Sequence, residues 1–256
     1  MLNEIFINVE GKMVKYILEE PKRNSFVEHI KKDTTPYFFI RTIKDPTEAE
    51  QLASVNRYTT SIKYIKNPSE AVQITAVNKD GHTIQYINNP SEKVQLTAMN
   101  KDGHAIEYIK DPSEAVQLAS VNQYSKNIKY IKDPSEKVKL VAVNRNGVSI
   151  EDIDKPSEAV QLAAVSQNGY SIQYIKDPSE KVQLAAVTQD RNSIQFIKDT
   201  SETVQLATVN QNGYSIKYIS DPSESVQLAA VSQNEHAIKY IKDPSEAVQK
   251  LCPQHY

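Results

Sequence analysis

Proline recurs at Pro46, Pro68, Pro90, Pro112, Pro134, Pro156, Pro178, Pro222 and Pro244, and Thr200 stands in the one gap of a 22-residue period. Nine full units fill residues 46–243 without insertion or deletion, and a tenth starts at Pro244. A segment of this length cannot enclose a hydrophobic core of its own. The units must therefore bury their apolar sides against one another, in single file, as a chain of nearest neighbours.

Each unit reads as two short helical segments. Asp111-Pro112-Ser113-Glu114 is a start signal, with Asp111 expected as N-cap, Pro112 in the first helical position and Glu114 bonding back as in a capping box. About ten residues later the first helix is expected to end at a pair such as Asp102-Gly103 or Asn168-Gly169, with glycine in the left-handed conformation. A segment such as Tyr170-Ser171-Ile172-Gln173-Tyr174-Ile175-Lys176 follows. Its isoleucines are three apart, which fits one α-turn or a short 3₁₀ helix. Val182, Leu184, Ala185, Ala186 and Val187 surround much of the first helix, so it is expected to be buried on several sides.

The fold class expected is thus all-α, a solenoid of about nine to ten 22-residue helix-turn-helix repeats, α/α or α/3₁₀. Residues 1–23, where Glu4-Ile5-Phe6-Ile7-Asn8-Val9 alternates and Glu10-Gly11 suggests a turn, read as a small N-terminal cap built as a β-hairpin. Residues 24–45 read as a degenerate first repeat carrying Phe26, Phe38 and Phe39, and residues 244–256 as a truncated capping repeat. In that last repeat Lys250 replaces the recurring leucine and Pro253 stops the helix.

The Val-Gln-Leu-Ala-Ala-Val helix, the Asn/Asp-Gly turn and the Ile-x-Tyr-Ile segment resemble short two-helix repeats. These are known mainly as a domain of unknown function in large viruses, bacteriophages and some intracellular bacteria. The resemblance covers about residues 46–250. The unit is also similar to the leucine-rich-variant repeat, which alternates an α-helix with a 3₁₀ helix. These resemblances imply a solenoid in a viral or symbiont setting, and no activity.

Composition narrows the function classes. Thirty Lys plus Arg face 32 Asp plus Glu, for a net charge of −2 and a pI near 6.2, which excludes a histone-like cation and a strongly acidic DNA mimic. Cys252 is the one cysteine, so no internal disulfide and no multi-cysteine zinc site is expected. The segment MLNEIFINVE has no basic stretch before an apolar core, so no signal peptide is expected, and no apolar run approaches the ~18 residues of a membrane span. A cytoplasmic protein follows, in the host cytoplasm if viral. No phosphate loop, nucleophile elbow, metal-binding His-Glu helix or dinucleotide fingerprint is found, and a repetitive ribbon spreads like groups along a line. No enzyme, cofactor or metal is expected.

Four recurring positions bear on the site. One glutamate per unit (Glu48, Glu70, Glu92 and onward to Glu246) reads as a helix cap. Histidine at His82, His104 and His236 shares its slot with Tyr170 and Tyr214, so the slot takes a ring and not a metal ligand. The glutamine of Gln51, Gln73, Gln95 and onward to Gln249, replaced by Lys139 in one unit, is expected to form an amide ladder between units. The fourth is an aromatic ladder: Tyr64, Tyr86, Tyr108, Tyr130, Tyr174, Phe196, Tyr218 and Tyr240, with Asp152 as the exception. Lysines flank it at Lys63, Lys129, Lys217 and Lys239 and, as a second set, at Lys66, Lys110, Lys132, Lys176, Lys198 and Lys242.

The ladder has three readings: inter-unit packing, a protein-binding surface with tyrosine anchors, and stacking platforms for single-stranded nucleic acid. Glu107, Glu151, Asp152 and Asp154 interrupt a continuous phosphate track. The turn glycine is absent at Thr59, Ser125, Arg191 and Glu235, and Tyr58 and Tyr124 precede the first two, so Tyr58, Tyr124 and Arg191 join the candidate partner-binding residues. The function expected is a non-enzymatic scaffold for a protein partner, with nucleic acid as the alternative, no membrane, and self-association through the end faces as a further route.

Overall fold

The computed structural model describes residues 3–9, 12–18, 40–41 and 43–252. The turn expected at Glu10-Gly11, the phenylalanines Phe26, Phe38 and Phe39, and the stop expected at Pro253 lie outside the described residues. Near the start of the chain, Asn3–Val9 and Lys12–Leu18 pair antiparallel, with Asn3 opposite Leu18.

The repeats form an α-solenoid. Each is a ten-residue α-helix, one extended residue, a six-residue 3₁₀ helix and a short linker, as in Glu180–Gln189 followed by Arg191–Phe196. Among the described residues nine such pairs run from Glu48–Arg57 to Glu235–Tyr240, and a further α-helix, Glu246–Leu251, follows. The chain divides into two compact units, Met1–Lys132 and Asp133–Tyr256. Within each, α-helices pack on α-helices and 3₁₀ helices on 3₁₀ helices of the neighbouring repeat.

The second segment is 3₁₀ for a local reason. Asn168 is extended, and its side chain accepts the Tyr170 N–H at 3.1 Å. The Ser171 N–H then bonds the Asn168 carbonyl and the Ile175 N–H the Ile172 carbonyl, both three residues back. At that pitch residues three apart eclipse. Ile172 and Ile175 therefore point the same way, into the core.

The α-helix starts two residues later than the Asp-Pro signal suggests. Ser113 is the N-cap, its hydroxyl accepting the Val116 N–H, and Glu114 is the first helical residue. The third helical residue is valine in most units, which cannot close a capping box. Only Thr47, followed by Glu50, forms one among the described residues, with the Thr47 N–H donating to Glu50 Oε2 at 2.7 Å. Asp111 is instead left-handed, with φ of 51°, as are Asn89, Asp133, Lys155, Asp177 and Asp221. Asn and Asp tolerate that conformation because a short polar side chain can bond locally.

Glycine does a different job from the one its place suggests. Left-handed φ values fall on the residues before proline, and the glycines after the helix are there to let backbones approach. A Cβ on Gly213 would lie 2.2 Å from the Ala230 carbonyl oxygen, and one on Gly147 would lie 2.3 Å from that of Ala164.

The core repeats with the chain. Val182, Ala186 and Val187 of one α-helix are fully buried, as are Ile194 and the matching residues of the neighbouring repeats. Burying each such valine or isoleucine contributes roughly 1.5–3 kcal/mol. Leu184 and Ala185 are only partly buried, so the helix is not enclosed all round as its composition suggests. At the far end Cys252 packs with Val231, Ile238, Ile241 and Val248. Burial, then the charge of Glu235, pushes its thiol above the ordinary value.

Candidate functional site

Hydrogen bonds that cross from repeat to repeat hold the surface in register. The recurring glutamates do not cap their own helices. Seven of them accept the hydroxyl of the N-cap serine one unit on: Ser91 Oγ donates to Glu70 at 2.5 Å, Ser179 to Glu158 at 2.7 Å and Ser223 to Glu202 at 2.5 Å. Ser69, Ser113, Ser157 and Ser201 do the same toward Glu48, Glu92, Glu136 and Glu180. Each of these serines thus accepts a backbone N–H within its helix and donates to its neighbour.

The glutamine ladder is also reassigned. The amides of Gln73, Gln95 and Gln117 donate at 2.9 Å to Pro68, Pro90 and Pro112, the prolines opening their own repeats. They tie down the linker before each helix, and at Gln227 the same position also crosses to the next repeat, its Oε1 accepting the Ser245 N–H at 3.1 Å. The glutamine that reaches across at several repeats sits at the end of the α-helix, a position the sequence reading passed over although it recurs at the same period. Gln123, Gln167, Gln189 and Gln233 accept the N–H of Gly103, Gly147, Gly169 and Gly213 in the preceding repeat, at 2.5–2.9 Å.

On this frame the aromatic ladder stands at the C-terminal end of the 3₁₀ helices. Tyr86, Tyr108 and Tyr130 in the first unit, and Tyr174, Phe196, Tyr218 and Tyr240 in the second, are 37–51% exposed. Tyr64 is partly buried. The isoleucines on either side point inward, so each ring keeps one edge on the protein and the rest in solvent. At three rungs a ring of the preceding repeat supplies that edge. His82 meets Tyr108, Tyr170 meets Phe196 and Tyr214 meets Tyr240, edge to face, with centroids 5.5–5.9 Å apart. Cations cover the rings: Lys63 on Tyr64, Lys129 on Tyr130 and Lys217 on Tyr218, at 4.7–4.9 Å, and Arg41 on Tyr64 at 5.7 Å. A hydrogen bond with Glu107, then burial and the Glu107 charge, raise the Tyr108 phenol above its ordinary value, and Tyr130 and Tyr86 on either side push the same way.

The irregular repeats carry the other candidates. Tyr58 and Tyr124 replace the Asn or Asp that elsewhere caps the 3₁₀ helix, and neither makes a side-chain cap bond. Tyr124 is exposed and stacks on His104 of the preceding repeat, with centroids 4.1 Å apart and planes at 16°. Tyr58 is partly buried beneath Arg57, whose guanidinium lies 5.7 Å from the ring centroid. Arg191 is exposed at the start of its 3₁₀ helix. In the Tyr124 repeat a buried relay runs from Asn127 Nδ2 to Ser120 Oγ at 2.9 Å, and from Ser120 to the Gly103 carbonyl at 2.8 Å.

His82 Nε2 lies 3.0 Å from Asp102 Oδ2 of the next repeat. Burial raises the Asp102 carboxyl, but the His104 N–H, the His82 hydrogen bond and the charges of both histidines outweigh it, so the group lies below its ordinary value of 3.8. A depressed folded value gives stability that is present above 3.8 and lost as pH falls through the folded value. Asp102→Asn keeps the cap, since Asn146 and Asn168 fill the same position. It is expected to cost less than about 1 kcal/mol at about pH 5, the pair being about a third exposed, and less at about pH 2. Urea titrations of both proteins at the two pH values check this.

Among the described residues no group of three or more His, Cys, Asp or Glu is placed to hold a metal ion, and no helix is long and apolar enough to cross a membrane. Comparison of the chain with protein-family models, curated proteins and solved structures gives no match.

Proposed function

We propose that the chain is a non-enzymatic scaffold that holds a protein partner along its aromatic ladders. One observation carries this reading: in successive repeats of each unit, a ring is left more than a third exposed two residues after an isoleucine that is 0–5% exposed. A contiguous row of exposed aromatics, as opposed to scattered ones, is the mark of an interaction surface. Tyrosine beside a cation is a favoured anchor at protein interfaces. Glu107 and the acidic Glu151, Asp152 and Asp154 fit a protein partner better than a phosphate chain, which they repel. In the viral or phage setting that the resemblance implies, the partner is a host defence protein or a virion component met in the host cytoplasm.

The test replaces the second ladder, Tyr174→Ser, Phe196→Ser, Tyr218→Ser and Tyr240→Ser together, and compares capture of host proteins with the unaltered chain. The exposed rings are expected to leave the fold intact by circular dichroism. Partner capture should fall by about ten-fold or more and be unaffected by nuclease. Undiminished capture would remove the ladder as the docking surface. A shift of single-stranded DNA that weakens steeply with salt would move the assignment to nucleic acid.

A further inference from the structure

Resting on that reading, we infer that the second ladder, Tyr174 to Tyr240, takes an acidic segment of the partner in the polyproline II conformation, one turn of the segment per repeat. The spacing of the rings is the first ground. Lys63 lies 4.9 Å from the Tyr64 centroid and 5.9 Å from that of Tyr86, so two successive rings stand within about 11 Å, the sum of the two. Packed helices lie ~8–10 Å apart. A polyproline II segment rises 3.1 Å per residue with three residues per turn, and so returns the same face every ~9 Å. A β-strand returns it every ~7 Å, and an α-helix every 5.4 Å. Of the three, polyproline II sets a like side chain against every ring with one turn per repeat, which neither a strand's two-residue period nor a single helical turn does. It also needs no hydrogen-bonding edge, and a row of 3₁₀ helices offers none.

The chemistry of the rings is the second ground. Phe196 is as exposed as Tyr218, both at 37%, so the ladder presents ring surface and does not depend on a hydroxyl. Phe196 and Tyr240 are held edge-on by a ring of the preceding repeat. Such pre-ordered aromatic platforms suit proline, whose own order makes docking cheap in entropy.

Charge is the third. In the second unit a lysine flanks each ring, with Lys176, Lys198, Lys217 and Lys239 all exposed. The 3₁₀ helices Gly169–Tyr174, Arg191–Phe196 and Gly213–Tyr218 carry no carboxylate, and the fourth, Glu235–Tyr240, carries Glu235 at the end away from its ring. The complementary segment therefore has a carboxylate once per turn. Four rings span three turns, or about ten residues.

The experiment uses the full chain and three synthetic twelve-residue peptides, followed by fluorescence anisotropy. One is Pro-Pro-Glu repeated four times. The second has the same composition with the glutamates bunched at one end, and the third has lysine in place of glutamate. The regular acidic peptide is expected to bind about ten-fold more tightly than either control and to lose about ten-fold with Phe196→Ser plus Tyr218→Ser. Equal binding of regular and bunched peptides, or no binding of the regular one, overturns the inference. If the four-ring variant loses its protein partner while no peptide binds, the docking surface stands and its polyproline occupant falls. If the variant keeps its partner, both fall.

Discussion

Gly213→Ala is expected to destabilise the second unit by about 3 kcal/mol, the upper range for overpacking a close-packed contact. The added Cβ would lie 2.2 Å from the Ala230 carbonyl oxygen and 3.1 Å from Gln233 Oε1. A carbonyl within an α-helix cannot swing away as a side-chain tip can, so either the Gly213 turn or the whole Glu224–Gln233 helix has to shift. The same movement would stretch the 2.5 Å bond from the Gly213 N–H to Gln233. Gly103→Ala, whose nearest contact is the Gln123 Cβ at 3.1 Å, is expected to cost about 1 kcal/mol. Urea titration gives both values, and amide exchange should show the loss of protection centred on residues 213–233. Gly213→Asn separates the two explanations of this glycine. A left-handed turn tolerates asparagine, whereas a close approach rejects it as it rejects alanine, so a near-neutral Gly213→Asn would contradict the packing account. Arg191 and Glu235 occupy the same position in other repeats. Neighbouring repeats there must stand farther from the turn, so tolerance belongs to the local spacing and not to the position in general.

That glycine shows where the sequence is readable and where it stops. The period, the two-segment unit and the inward isoleucines all follow from spacing, because they depend only on which residues are apolar and how often they return. The helix start does not. Asp111 and Ser113 are both good N-caps, and proline is acceptable just before or just after the cap. The register is decided by the Glu92–Ser113 bond to the preceding repeat, a contact no local rule contains. The glutamines divide for the same reason. Gln117 and Gln123 recur with the same period, yet one ties its own linker and the other bridges repeats, and only their places on the helix surface tell them apart. The ladder itself was visible as a column of aromatics. Its exposure was not, because tyrosine is amphipathic and serves equally in a core or on a surface.

Replacing four buried serines is expected to stabilise the protein. Ser149, Ser171, Ser193 and Ser215 occupy one position of successive 3₁₀ helices in the second unit, are 0–1% exposed, and have hydroxyls with no hydrogen-bond partner. A buried unpaired hydroxyl costs about 1–3 kcal/mol. The chain already carries the remedy: Ala105 and Ala237 fill the same position and are fully buried. Thr83 shows the other solution, turning its hydroxyl to the Asp80 carbonyl at 2.7 Å. Ser→Ala removes one oxygen and leaves the helix geometry alone. The sites lie one repeat apart, far enough for their effects to add. The variant Ser149→Ala, Ser171→Ala, Ser193→Ala and Ser215→Ala should therefore gain about 4 kcal/mol at roughly 1 kcal/mol per site, a rise in Tm on the order of 10 °C. Single substitutions should each contribute a similar share, and binding at the ladder should not change, since these side chains point away from it into the stack. A loss of stability in the single variants would mean that the hydroxyls bond as Thr83 does. The serine column would then be a fifth hydrogen-bonded element of the repeat, alongside the Asn/Asp cap, the Ser–Glu rung, the linker glutamine and the bridging glutamine.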